Sequence, residues 1–343
     1  MIRQILRVSA ALCCLFLLAT AVRTSALLSA DEPEKKPQPK APAKVDLPVA
    51  DSQDPQQPAR KPLAPLPALL QQELKGKTAL NPEATVLLDS TKRQLLLRTE
   101  VACPDCILEM ALVPEGNREH ETILRIRSKA FVIHAGLLAL GLQPGKPAAF
   151  SPDFTAPSGP VINISAVWLN DRGERQERPL QDWIRNNTHR YHAAAMSGPP
   201  PGLELPYKAL RWDKFNKEIL WYGPMTDADR DDLLSKWDHE PYRQAIRSFH
   251  DAGQSKPMKA EFVFAGSSMF RDEETGREYY QAEGGHLICT SNFPDALLDI
   301  REQSSAADGA QSYEGWTERI PAEGTPVILV LQAAAPAKPA AEK

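Results

Sequence analysis

The chain has 343 residues, 42% of them hydrophobic and 24% charged, and 40 basic against 44 acidic side chains give a formal net charge of -4. No excess of basic charge is present to draw nucleic acid, and after Ala30 no apolar run approaches the roughly 20 residues that a spanning helix needs.

The first segment is a leader. Arg3 and Arg7 precede an apolar stretch from Val8 to Val22, and small residues suited to cleavage follow at Ala19-Thr20-Ala21, Thr24-Ser25-Ala26 and Ser29-Ala30. Residues 1–30 are therefore expected to be a signal peptide, and the protein to be exported, periplasmic or extracellular, with no membrane span once the leader is cut. Residues 31–67 carry a proline every few positions and almost no large apolar side chains. Such a segment cannot bury enough surface to offset an ordering entropy of about 1 to 2 kcal/mol per residue, so it is expected to be a disordered tether. Residues 333–343 (AAAPAKPAAEK) repeat that composition, which leaves residues 68–332 to fold.

Within that span strands come first. Thr85 to Asp89 is short, Arg93 to Ala102 alternates, and Ile107 to Val113 is apolar on both faces except at Glu109. Glu109 needs a partner if buried, and Arg125 or Arg127 on the next predicted strand, Thr122 to Arg127, could supply it. Ser128 is placed to cap a helix, Lys129 to Leu142, that is apolar nearly all round and is stopped by Pro144-Gly145. Val161 to Leu169 and Gln176 to Arg178 read as a hairpin about Asn170-Asp171-Arg172-Gly173, followed by a short helical piece, Leu180 to Asn186. Residues 187–257 differ. A Gly/Pro cluster leads to two predicted helices, Thr226 to Trp237 and Pro241 to His250. Strand patterns then resume at Glu261 to Gly266, Arg277 to Ala282, His286 to Thr290 and Val327 to Leu331. The expected fold is α+β: a mainly antiparallel sheet packed on one buried helix, interrupted by a largely helical insertion at 187–257.

Three segments carry a family likeness: LEMALVPEGNREHETILRIRSKAFVIHAGLLALGLQPGKP, VWLNDRGERQERPLQDWIRN, and FVFAGSSMFRDEETGREYYQAEGGHLICTSNFPDALLD. They resemble the YdjY-domain family of bacterial proteins, over most of Arg93 to Leu331 and in order. The resemblance implies an often exported, largely uncharacterised domain, and implies that 187–257 is an addition to it. It implies no mechanism.

The candidate chemistry rests on few residues. Of five cysteines only Cys103, Cys106 and Cys289 lie beyond the leader. Cys103-Pro104-Asp105-Cys106 could be a redox pair, half of a metal site or a local disulfide, and in an oxidising compartment the disulfide is the first explanation. The motif sits between strands instead of at the helix N-terminus where redox thiols are activated, and four sulfur ligands are not available for a cluster. His120 and Glu121 open a strand and could be a metal ligand and an acid/base pair. They do not make a zincin site, because Leu124 stands where the second histidine is needed. His134 lies on an apolar helix face and reads as a core histidine. His286, Cys289 and Asn292 match the residue types of a Cys/His/Asn hydrolase, but three positions apart on a strand the first two point to opposite faces. Asn292-Phe293-Pro294 reads as a turn. The 272–276 stretch lacks the alternating acids of a calcium loop, and Gly141 with Gly145-Lys146 has the wrong spacing for a phosphate loop.

With no complete catalytic set, the expectation is a non-enzymatic extracytoplasmic binding or structural module with an unknown protein or cell-envelope partner, no nucleic acid and no cofactor. Trp212, Trp221, Tyr222 and Trp237 of the insertion are candidate anchors or core. The alternative is a metal- or thiol-dependent protein using Cys103, Cys106, Cys289 and His120, with Glu121 beside them and a metal ion as cofactor.

Overall fold

The computed structural model describes residue 63 and residues 65–305 and 311–335. The expected leader, most of the tether and the end of the tail lie outside these described residues. Helix α1 (Ala68–Leu74) packs Leu70 against Leu87, Leu96, Val167 and Ile328. Strands β1 (Thr78–Ala79), β2 (Val86–Asp89), β3 (Gln94–Val101), β4 (Ile107–Leu108), β5 (Met110–Pro114) and β6 (Thr122–Ile126) follow. The predicted strand 107–113 is thus cut in two at Glu109.

Helix α2 (Ala130–Ala139) buries Ala130, Ile133 and Leu137 in the main core. Ser128 does not cap it. The Ser128 hydroxyl donates to the Lys129 carbonyl at 3.2 Å, and the Glu283 carboxylate accepts the Phe131 N–H at 3.0 Å instead. The helix ends before Pro144, because Gly141 takes a left-handed φ of +83°. Gly136 brings α2 close to the sheet, since a Cβ there would meet a Leu95 methyl at 2.5 Å.

Strands β7 (Ile162–Leu169) and β8 (Arg175–Pro179) form the expected hairpin. The Asn170 side-chain oxygen accepts the N–H groups of Arg172 and Glu174, which fixes the turn. A 3₁₀ turn, Leu180–Trp183, and β9 (Ile184–Asn186) replace the predicted helical piece.

The 187–257 stretch is not largely helical. It holds β10 (Tyr191–Ala195), β11 (Leu210–Asp213) and β12 (Glu218–Tyr222), paired antiparallel in the order β10-β12-β11, together with α3 (Asp227–Lys236) and α4 (Glu240–Ala252). These surround a separate core of Leu210, Ile219, Trp221, Met225, Leu233, Tyr242, Ile246 and Phe249. Thr226 caps α3, its hydroxyl accepting the Asp229 N–H at 3.1 Å. The three strands have only four or five residues each, too few for alternation to stand out between the turn residues that bound them.

The remaining strands are β13 (Phe262–Phe264), β14 (Met269–Arg271), β15 (Glu278–Tyr280), β16 (Ile288–Cys289), β17 (Leu298–Ile300), β18 (Tyr313–Gly315) and β19 (Pro326–Ala333). The large sheet runs β13-β17-β16-β5-β6-β3-β19-β7-β8, with β2 also on β3 and β1 on β2. Its ladders are antiparallel except β5–β6 and β16–β17. The sheet curls until Val263 in β13 bridges Val161 at the head of β7, and the Phe264 N–H donates to the Pro160 carbonyl at 2.9 Å. The fold is α+β. No helix among the described residues is long and apolar enough to cross a membrane.

Candidate functional site

The break at Glu109 lies in a half-buried cluster of charged side chains. Its N–H donates to the Glu121 carbonyl, and its own carbonyl accepts from the Thr290 and Ser291 N–H groups at 2.9 and 3.0 Å. The backbone thereby joins three chain segments at one residue. Arg118, at a left-handed φ of 45°, swings its guanidinium between the carboxylates of Glu109 and Glu121, with Nε 2.8 Å from Glu121. Arg118 Nη1 also donates to His286 Nε2 at 2.8 Å. That bond needs the lone pair on Nε2, so the imidazole proton sits on Nδ1, 2.9 Å from the Asp295 carboxylate. Phe293 stacks on His286 at 4.1 Å between ring centroids, and the Arg118 guanidinium lies 5.7 Å over the same ring.

The result is a half-buried chain, Glu121–Arg118–His286–Asp295, with Glu109 on its flank. Burial, and then the neighbouring Glu121 charge, push the Glu109 carboxyl up, against the opposing pull of Arg118. Glu109 therefore holds a proton to higher pH than an open carboxylate does, while Arg118 binds Glu109, Glu121 and His286, and Asp295 joins through His286. Glu109 does not pair with either arginine expected for it. Arg125 is taken by Glu100 and Glu119, and Arg127 by Glu115. Arg118 and Asp295 were not legible as site residues: an arginine in a polar turn and an aspartate after a proline carry no local signal of a long-range partner.

Beneath this chain is a buried polar layer. Cys289 is buried among Met110, Val113, Ala296 and Phe293, and burial pushes its thiol well up, so it is not a poised nucleophile. Asp299 is fully buried; burial raises its carboxyl to about 7, although the side chain of Asn292 and the N–H groups of Ile300 and Phe293 donate to it. Asn292 anchors the predicted turn, also bonding the Ile300 carbonyl and the Ser304 N–H. His286 and Cys289 do not form a catalytic pair, since His286 is spent on Arg118 and Asp295.

The five residues grouped as possible metal ligands are not brought to one centre. Cys103 and Cys106 form a disulfide with Cα atoms 5.8 Å apart, and Gly315 packs beneath their turn so closely that a Cβ would lie 2.6 Å from the Pro104 oxygen. His120 is 82% exposed and meets only Glu121, at 3.5 Å. Among the described residues, the group of three or more potential ligand atoms within 4.8 Å of one another is Cys103, Asp105 and Cys106. Two of those three sulfur and oxygen ligands are already joined to each other, so the set does not suit a metal ion while the disulfide stands. His134 is a satisfied half-buried histidine: its Nδ1 is 2.7 Å from the Tyr280 hydroxyl, its ring packs edge-on to Phe264 and Tyr280, and burial lowers its pKa.

A family model, the YdjY domain, matches residues 86–197 and 233–332. The chain belongs to the YdjY-domain family. Every member of the Glu109–Arg118–Glu121–His286–Asp295 network falls inside the match, as do Cys103, Cys106 and Cys289. The unmatched stretch, 198–232, carries β11, β12 and the first six residues of α3, and lays β12 along the β10 strand of the YdjY domain; the addition expected at 187–257 is corrected to this shorter span, because 187–197 and 233–257 fall inside the match. No curated protein and no solved structure matches the chain.

Proposed function

We propose that this protein is an exported YdjY-domain binding module whose partner surface is the outer face of the β10–β12–β11 sheet. The supporting observation is the character of that face. Ladder partners share a face, so Tyr191 with Tyr222, Ala193 with Leu220, and Ala195 with Glu218 stand on the side opposite Ile219 and Trp221, which fill the core. Tyr191 is 61% and Tyr222 47% exposed, and their rings lie 5.0 Å apart. Two open tyrosines above a strip of alanine and leucine form the aromatic anchor and shallow apolar floor typical of protein recognition sites. Of the four candidate anchors, Tyr222 serves here, Trp221 is core, and Trp212 and Trp237 pack against that core. The partner is a protein or other cell-envelope component.

A photo-crosslinking residue at Ala193, placed in the protein in its own host, tests this reading. The expected result is a discrete adduct in the extracytoplasmic fraction that disappears when Tyr191 and Tyr222 are both changed to Ser. The absence of an adduct, or one indifferent to both tyrosines, would overturn it.

A second reading, a thiol-dependent redox protein, is favoured by the Cys103–Cys106 pair alone. Equilibration with graded thiol buffers separates the two. A reversible couple well above about -300 mV belongs to a working redox pair, and resistance to reduction at that poise belongs to a structural one.

A further inference from the structure

The side of β8 that should face the core is polar. Gln176 pairs with Trp168 and Arg178 with Ala166, so both stand on the face where β7 sends Ile162, Ile164, Ala166 and Trp168 inward. An apolar residue is expected at each of those positions, as on β7. β8 is the last strand of the row, and the 3₁₀ turns Leu180–Trp183 and Thr317–Arg319 close over its inner side. Between them lies a cleft of about 410 Å³ lined by Trp168, Gln176, Arg178, Asp182, Trp183 and Arg319, within the roughly 300–1,000 Å³ of small-molecule sites.

The lining is rich in unspent donors. Trp183 is 1% exposed, and its indole N–H has no partner among the described residues. A buried donor is costly unless something accepts from it. Among the described residues, neither the Arg178 guanidinium nor the Gln176 amide is engaged. Arg319 is held in place by stacking 3.3 Å over Trp316 and by one bond to the Asp182 carbonyl, which leaves further N–H groups of its fork. Two arginines and Asp182 give the lining a net charge of +1. That charge suits a monoanion, and the acidic rim disfavours a phosphate dianion. The fork geometry of guanidinium suits a carboxylate, and the two indoles at the base suit an organic body.

We propose that this cleft binds a small organic carboxylate, its anionic group between Arg178 and Arg319 and its body against Trp168 and Trp183. It uses none of the residues of the tyrosine-bearing sheet face. The test is an NMR titration of the purified full chain, following the Trp183 indole N–H, assigned by its loss in Trp183→Phe. Phenylacetate and glucuronate are the acidic probes, and phenylacetamide and glucose their neutral counterparts. The expected result is a saturable shift with at least one acid and binding at least about tenfold weaker for its neutral counterpart; the acid that wins tells an aromatic body from a sugar. Arg178→Gln, which breaks no hydrogen bond or ion pair among the described residues, is expected to weaken binding about tenfold with an unchanged unfolding midpoint. Three results would each overturn the proposal: no shift with either acid up to about 10 mM, equal affinity for acid and neutral probe, or native affinity in Arg178→Gln.

Discussion

Asp299 makes the stability of this domain depend on pH in a direction opposite to acid denaturation. Its carboxyl is fully buried and its pKa rises from 3.8 to about 7 because desolvation outweighs three donated hydrogen bonds. A folded-state pKa above the unfolded one means that the native state binds the extra proton. The associated stability is fully present below pH 3.8 and is lost as pH rises through about 7. About three units at 1.36 kcal/mol each make that loss ~4 kcal/mol. In Asp299→Asn the amide oxygen can keep the bonds from Asn292 and Ile300, and the amide nitrogen forfeits only the 3.4 Å contact with the Phe293 N–H, at a cost of about 1 kcal/mol. The variant is therefore expected within about 1 kcal/mol of the native protein at pH 4 and about 3 kcal/mol more stable at pH 8. Urea unfolding of both proteins from pH 4 to 8 checks this, because all other titrating groups cancel in the difference. A native-minus-variant difference that is flat with pH, or that grows in favour of the native protein at pH 8, would show that the three donors and not burial set the charge of Asp299.

Arg118→Met leaves Glu109 and Glu121 facing each other without their shared cation, so it is expected to cost about 2 to 4 kcal/mol at pH 7 and clearly less at pH 4, where protonation relieves the repulsion; denaturant melts at the two pH values read this. Arg185→Ala strips the 2.7 Å partner from the buried Glu314 carboxylate, leaving only Thr188 and His189 around it, and is expected to cost about 3 kcal/mol in the same assay. Replacing Cys103 and Cys106 together by Ser opens a four-residue loop, for which loop entropy gives about 2 kcal/mol, and thiol titration of the native protein freed of residues 1–30, and so of Cys13 and Cys14, is expected to find no reactive sulfur until unfolding frees Cys289. Thr226→Ala removes the cap of α3 and is expected to cost about 1 kcal/mol, seen as a lower thermal midpoint.

The fold was legible wherever one periodicity ran long enough to repeat. The amphipathic α4 is of that kind, because it buries a face set by spacing alone; the all-apolar helix was legible from its composition and the hairpin about Asn170 from its turn residues. Where the prediction differed, a distant partner had replaced a local one. Ser128 has the chemistry of a cap, but Glu283, more than 150 residues away, reaches the α2 N-terminus first. Glu109 lies in the middle of an apolar run, yet the strand breaks there because its backbone is claimed by Glu121, Thr290 and Ser291.

The same rule decides what could be read of the site. The Cys103–Cys106 bond is local, and the oxidising address inferred from the leader pointed to it. Arg118, His286 and Asp295 meet only because the loops holding them are tied elsewhere. Asn117 reaches the Gly284 carbonyl just before His286, and Asn292 pins the far end of that loop to Ser304. These ties hold the loops that carry the charged groups, so the charged chain takes its geometry in part from uncharged turn residues. A single arginine spanning two carboxylates and an imidazole is then a structural strut that also opposes the upward push of burial on the Glu109 carboxyl, which is why Arg118→Met is expected to change stability and its pH dependence together.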